Sequence, residues 1–70
     1  MIEQGEILTL SDNKVYSVVF SIMYEGKNYI YLVDQNDYSN SMICCYVDNA
    51  LEEVVNQELV TILLKKFNEK

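Results

Sequence analysis

The side chains that could do chemistry fall in four places: the pair Cys44-Cys45, the pair Glu52-Glu53, the run Asp34-Gln35-Asn36-Asp37 and a set of six tyrosines. None comes with the partners its chemistry needs. The chain has no histidine, so the commonest general base and the commonest zinc ligand are missing. A serine or cysteine nucleophile would lack its usual activating base, and no spacing of serine and lysine suggests a substitute. Adjacent cysteines in a strand point to opposite faces and do not reach disulfide geometry. A metal or redox site would need a CxxC-type pair or further ligands, so the two cysteines read as small, buried or half-buried strand residues. Asp34 to Asp37 looks like part of a calcium loop, but lacks the glycine of the sharp turn and the distant bidentate glutamate. It reads as a solvated turn. Glu52 and Glu53 diverge in either a strand or a helix, so they do not form a proton-sharing dyad.

Charge excludes more than it assigns. There are 11 acids and 5 lysines, no arginine, and a net charge of −6. Lys65, Lys66 and Lys70 sit in the last six residues, which leaves ten acids against Lys14 and Lys27 in residues 1–64. Such a field repels phosphate backbones, and no guanidinium is available to clamp a phosphate or a guanine. Direct nucleic-acid binding is therefore not expected. Solubility alone accounts for an acidic surface. The sharper possibility is an acidic face that docks on a basic partner. Tyrosines on a sheet can stack bases or anchor a protein. They are also good strand residues, and the acidic field favours the protein.

The chain that carries these residues has the pattern of a small antiparallel sheet and one helix. Glu6 to Leu10 reads as a first strand, and Ser11-Asp12-Asn13-Lys14 as a turn in which Asn13 tolerates a positive φ. Met1 to Gln4 is expected to fray. Val15 to Tyr24 alternates, with Tyr16, Val18, Phe20, Ile22 and Tyr24 on the bulkier face, taken as the core side, and Ser17 and Ser21 on the solvent side. Ten residues is long for a strand, so a bulge or bend is expected within it. Glu25-Gly26-Lys27-Asn28 is a turn, with Gly26 left-handed. Tyr29 to Asp34 follows with both faces apolar. Ile30 and Leu32 are preferred inside, because tyrosine carries a hydroxyl that must be satisfied on burial.

Gln35 to Ser41 is a polar loop, Met42 to Val47 a fourth strand and Asp48-Asn49-Ala50 a turn. Leu51 to Val55 reads either as a fifth strand or as the opening of the helix. Asn56 caps a helix over residues 57–67, whose apolar stripe is Leu59, Val60, Leu63, Leu64 and Phe67, widened by Ile62. The lysines Lys65, Lys66 and Lys70 meet its negative end. The expected fold is α+β, a single small domain over residues 1–70: an antiparallel meander of four to five strands with one C-terminal helix packed on one face. Leu63 and Phe67 are expected to cover Val18, Phe20 and Ile22.

The order EILTLSDNKVY, VVFSIMYEGKNYIYLV, a polar loop, MICCYVD and then LEEVVNQELVTILLKKF resembles the YrzB-like family of small acidic bacterial proteins, domain-of-unknown-function family 1292. The similarity covers Glu6 to Phe67. It implies a curved antiparallel sheet with a C-terminal helix and a cytoplasmic setting. It implies no activity and no functional residues. Family members often carry a long acidic run between the third and fourth strands, whereas Gln35 to Ser41 is shorter and mostly neutral here.

The functional expectation is a non-enzymatic, acidic protein-interaction module with a regulatory role and no cofactor or metal. The candidate partner-binding residues are Tyr29, Tyr31, Asp34, Asp37, Tyr38, Glu52 and Glu53. The alternative is a phage-type inhibitor that sets an acidic surface against a basic nucleic-acid-binding protein. A homodimer would bury more apolar surface in so short a chain, and a ligand-binding domain would need a pocket of a few hundred Å3. No apolar stretch is long enough to span a bilayer. The opening MIEQGEILTL has no basic region before an apolar run, so no signal peptide is expected. With both thiols reduced, the cytoplasm is the expected compartment.

Overall fold

Alternating β-branched and aromatic residues favour extended chain where both faces are covered, and most of this chain follows that pattern. The computed structural model describes residues 2–69. Lys70 and Met1 lie outside the described residues. The elements are β1 (Ile7–Thr9), β2 (Val15–Tyr24), β3 (Lys27–Asp34), β4 (Ser41–Val47), β5 (Ala50–Glu53) and α1 (Gln57–Asn68). The strands form one antiparallel sheet in the order β1-β2-β3-β4-β5, curled into a half-barrel, and the helix completes an α+β fold.

Turn chemistry sets the register. β2 and β3 are joined by only Glu25 (φ 52) and Gly26 (φ 79). Two successive left-handed residues twist with the flanking strands, so β3 begins at Lys27, opposite Tyr24, rather than at Tyr29. Asp48 (φ 52) and Asn49 (φ 64) repeat the device between β4 and β5. Asn13 is left-handed as expected, and its N–H donates to the Leu10 carbonyl at 2.9 Å. The ambiguous segment after Asn49 is a strand: β5 pairs with β4, and Val54 N–H still donates to Ile43 O at 2.8 Å. The helix starts only after Asn56, whose side chain accepts the Leu59 N–H at 3.0 Å.

One irregularity decides the packing. Val18 pairs with Leu32 but Phe20 pairs with Tyr31, so Val19 is an extra residue in β2. Such a bulge turns the following side chains to the opposite face. Tyr16 and Val18 therefore lie on one side of the sheet with Ile30, Leu32 and Cys44. Phe20, Ile22 and Tyr24 pack on the other with Tyr29, Ile43, Leu63 and Phe67. This corrects the expectation of a single inner face along β2. The helix covers Phe20 and Ile22 but not Val18. Phe67 stacks on Phe20 at 5.4 Å between ring centroids and meets Tyr31 edge-on at 5.9 Å. Leu64 and Ile62, placed by pattern on the buried stripe, stand 37% and 41% exposed, because Leu63 and Phe67 sit at the centre of the contact.

The N-terminal residues also differ from expectation. Ile2 is tied down rather than frayed. Its N–H donates to Asn28 Oδ1 at 2.9 Å, and its carbonyl accepts from Ser21 Oγ at 2.6 Å. Its side chain packs on the Tyr16–Leu32 cluster. Ser21 is consequently half-buried and hydrogen-bonded, not a mark of the solvent side.

Candidate functional site

The structure disperses the seven residues singled out as partner contacts. Tyr29 is buried (6% exposed) in the cluster beneath the helix, because β3 is the central strand and both of its faces are covered. Burial raises its hydroxyl pKa, helped by Cys45. Tyr31 is half-buried in the same cluster. Asp34 is 4% exposed. Its Oδ1 accepts the Asn36 N–H at 2.8 Å and its Oδ2 accepts from Asn40 Nδ2 at 3.3 Å. The carboxylate shapes the β3–β4 loop. Asp37 is exposed, and its Oδ1 accepts from the Ser39 hydroxyl at 2.6 Å and from the Ser39 N–H. Those bonds hold its pKa below the ordinary carboxylate value. Tyr38 stands free at 81% exposure, and Glu52 and Glu53 are exposed on β5.

A concavity lies elsewhere among the described residues. A groove of about 520 Å3 runs between the end of β1 with its turn (Thr9, Leu10, Ser11 and Asp12) and the far edge of the sheet (Asn49, Leu51 and Glu53). Residues from opposite edges of the sheet line one space, so the Tyr16–Leu32 face is the inside of the curl. Met42, Cys44 and Leu51 give it an apolar floor, and Ile2 also lines it. Of the seven predicted residues, only Glu53 lines it. Leu10, Asp12, Met42, Tyr46 and Leu51 were missed. The one signal available was a leucine beside a turn at each end of the sheet, Leu10 and Leu51.

A polar chain braces this groove. The Tyr16 hydroxyl donates to Asp12 Oδ2 and accepts from Asn40 Nδ2, both at 3.3 Å, and Asn40 reaches on to Asp34. Asp12 Oδ1 accepts the Lys14 N–H at 2.9 Å. Desolvation raises the Tyr16 hydroxyl pKa, with the Asn40 bond acting the other way. Among the described residues, the charged side chains lining the groove are Asp12 and Glu53, and the Lys14 charge acts on the Tyr16 hydroxyl that donates to Asp12. The helix-side surface differs: Lys65 and Lys66 lie in the last turn of α1, and Lys66 Nζ sits 5.2 Å above the Tyr24 ring.

The groove lining combines apolar, hydroxyl and carboxylate side chains with a single cysteine. Its one thiol, Cys44, is pushed up to about 11 by burial, then by the charges of Glu53 and Cys45. At neutral pH burial keeps it as the neutral thiol. Cys45 points to the opposite face and packs in the helix-side cluster. Both cysteines are free thiols. The carboxylates of Asp34 and Asp37 are occupied by loop hydrogen bonds, and no group of acidic or cysteine side chains among the described residues converges as a cation site. No helix among them is long and apolar enough to cross a membrane.

No protein-family model matches the chain, and no curated protein or solved structure does so. The resemblance to the YrzB-like family therefore rests on the residues quoted for it above.

Proposed function

We propose that this chain is a non-enzymatic protein-interaction module that works in a reducing cytoplasm and binds a basic partner through the inside of its half-barrel. The observation that carries this reading is the groove itself: about 520 Å3, with an apolar floor of Met42, Cys44 and Leu51 and the acids Asp12 and Glu53 at its sides. That combination of an apolar anchor site with a charged rim is how protein surfaces gain both affinity and orientation. The net charge of −6 favours a basic partner and its faster encounter. An inert thiol and the absence of histidine support recognition over catalysis.

Partner capture from a cell lysate, run in parallel with the wild-type chain and a Leu51→Arg chain, tests the reading. The expected result is a protein retained by the wild type, released as salt rises and not retained by the variant. Equal retention by both chains, or capture that ignores salt, overturns it.

A further inference from the structure

The groove is bordered by a strand edge that no other strand among the described residues covers. β5 is the last strand of the sheet. Val54 N–H donates to Ile43 O across to β4, and in an antiparallel pair such bonds alternate along the strand. Glu52, two residues earlier and opposite Cys45, therefore also faces β4. Leu51 and Glu53 turn their backbone N–H and C=O groups outward. The side chains of these two residues line the groove. The residues that offer free backbone bonds are thus the ones that would read an incoming side chain.

We propose that β5 accepts an added strand: an extended segment of a partner pairs antiparallel with Leu51 and Glu53, setting an apolar residue beside Leu51 and, two positions away, a lysine or arginine beside Glu53. This rests on the groove being the contact surface. Strand addition supplies main-chain hydrogen bonds, and alternate side chains supply specificity. Residues two apart on a strand share a face, which fixes the apolar-x-basic spacing. Charge chooses the occupant. A second copy of this chain adding through its own β5 would bring Glu52 and Glu53 against Glu52 and Glu53, and like charges across a strand pair are unfavourable. A basic segment meets Glu53 on the groove side, Glu52 on the other face and Asp12 across the groove.

The test uses three synthetic peptides against the full chain: one built on the repeat Val-Thr-Lys-Thr, its Val-Thr-Glu-Thr counterpart, and the lysine peptide with alternate backbone nitrogens methylated. The readouts are a binding titration and amide hydrogen exchange by NMR. The lysine peptide is expected to bind and to slow exchange at the Leu51 and Glu53 amides about tenfold or more, leaving the already bonded Glu52 amide little changed. Glu53→Gln, with its fold checked by circular dichroism, should bind it about tenfold more weakly. The glutamate and methylated peptides should not bind. Binding without protection of those two amides overturns strand addition and leaves the interaction reading standing, as does failure of every peptide while lysate capture still depends on Leu51. Protection that appears without peptide and grows with protein concentration assigns the edge to a second copy and also overturns it.

Discussion

Cys44 and Asn28 show what burial does to single polar side chains in a domain of this size. Cys44 is 2% exposed and its thiol is pushed up to about 11. The folded state therefore favours the protonated thiol. Its contribution to stability is fully present below the unfolded cysteine value of about 8.5 and is lost as pH climbs toward the folded value. In a Cys45→Ser chain at pH near 8, a thiol reagent should leave Cys44 unmodified until urea unfolds the protein. Rapid labelling of the native chain would contradict the assigned burial. Asn28, at 5% exposure, accepts from Ile2 N–H and donates to Ser21 Oγ and to the Ile22 carbonyl at 3.3 Å. It holds the N-terminal residues against the inside of the curl. Asn28→Ala removes the acceptor of a partly buried N–H and should cost ~1–3 kcal/mol, read from the urea midpoint. The Ile2 amide should exchange faster in the same variant.

At the scale of elements, the turns and the cap were legible because they depend on local chemistry. Asn13, Gly26 and Asp48-Asn49 are residue types that tolerate positive φ, and Asn56 is a good cap whose side chain needs only the nearby Leu59 N–H. Glu25 is the exception. Glutamate at φ 52 is strained, and Gly26 beside it is not. Glu25→Asn creates the Asn-Gly pair that this hairpin turn prefers and should raise stability by ~0.5–1 kcal/mol, measured as a shift in the thermal midpoint. A loss would mean that the Glu25 side chain makes a contact worth more than the strain. The bulge at Val19 was expected somewhere in β2 but could not be placed. Val18, Val19 and Phe20 are all apolar, so alternation shows no break where the faces exchange. Tyr29 was undeclared for a related reason: both faces of β3 are apolar, and which is covered depends on a helix some 30 residues away in sequence. The groove was invisible because it exists only when the curl brings residues 9–12 near residues 49–53.

For the whole molecule, the bulge means that one sheet carries two cores, and the question is whether they melt together. The inner cluster holds Tyr16, Val18, Ile30, Leu32 and Cys44; the outer holds Tyr29, Ile43, Leu63 and Phe67. Strands β2, β3 and β4 each contribute to both. Ile30 and Tyr29 are neighbours on one strand, as are Cys44 and Ile43, so freeing either cluster's side chains loosens the backbone that holds the other. A single core in a chain this short rarely supplies more than ~3–5 kcal/mol, so neither layer has enough stability to survive alone. Ile30→Val and Ile43→Val each remove one methylene, from opposite faces, and each should cost ~0.5–1.5 kcal/mol. Both should shift the same single transition, with the far-ultraviolet backbone signal and the tyrosine near-ultraviolet signal moving together. If the cores were independent, Ile43→Val would separate an early loss of the helix from a later loss of the sheet. The shared backbone argues against that outcome. It also means that a strand added to β5, which pairs with β4, would stiffen the inner layer and the helix-bearing layer together. Binding at the groove should therefore raise the midpoint of the whole transition, in proportion to the logarithm of ligand concentration once the site is nearly full.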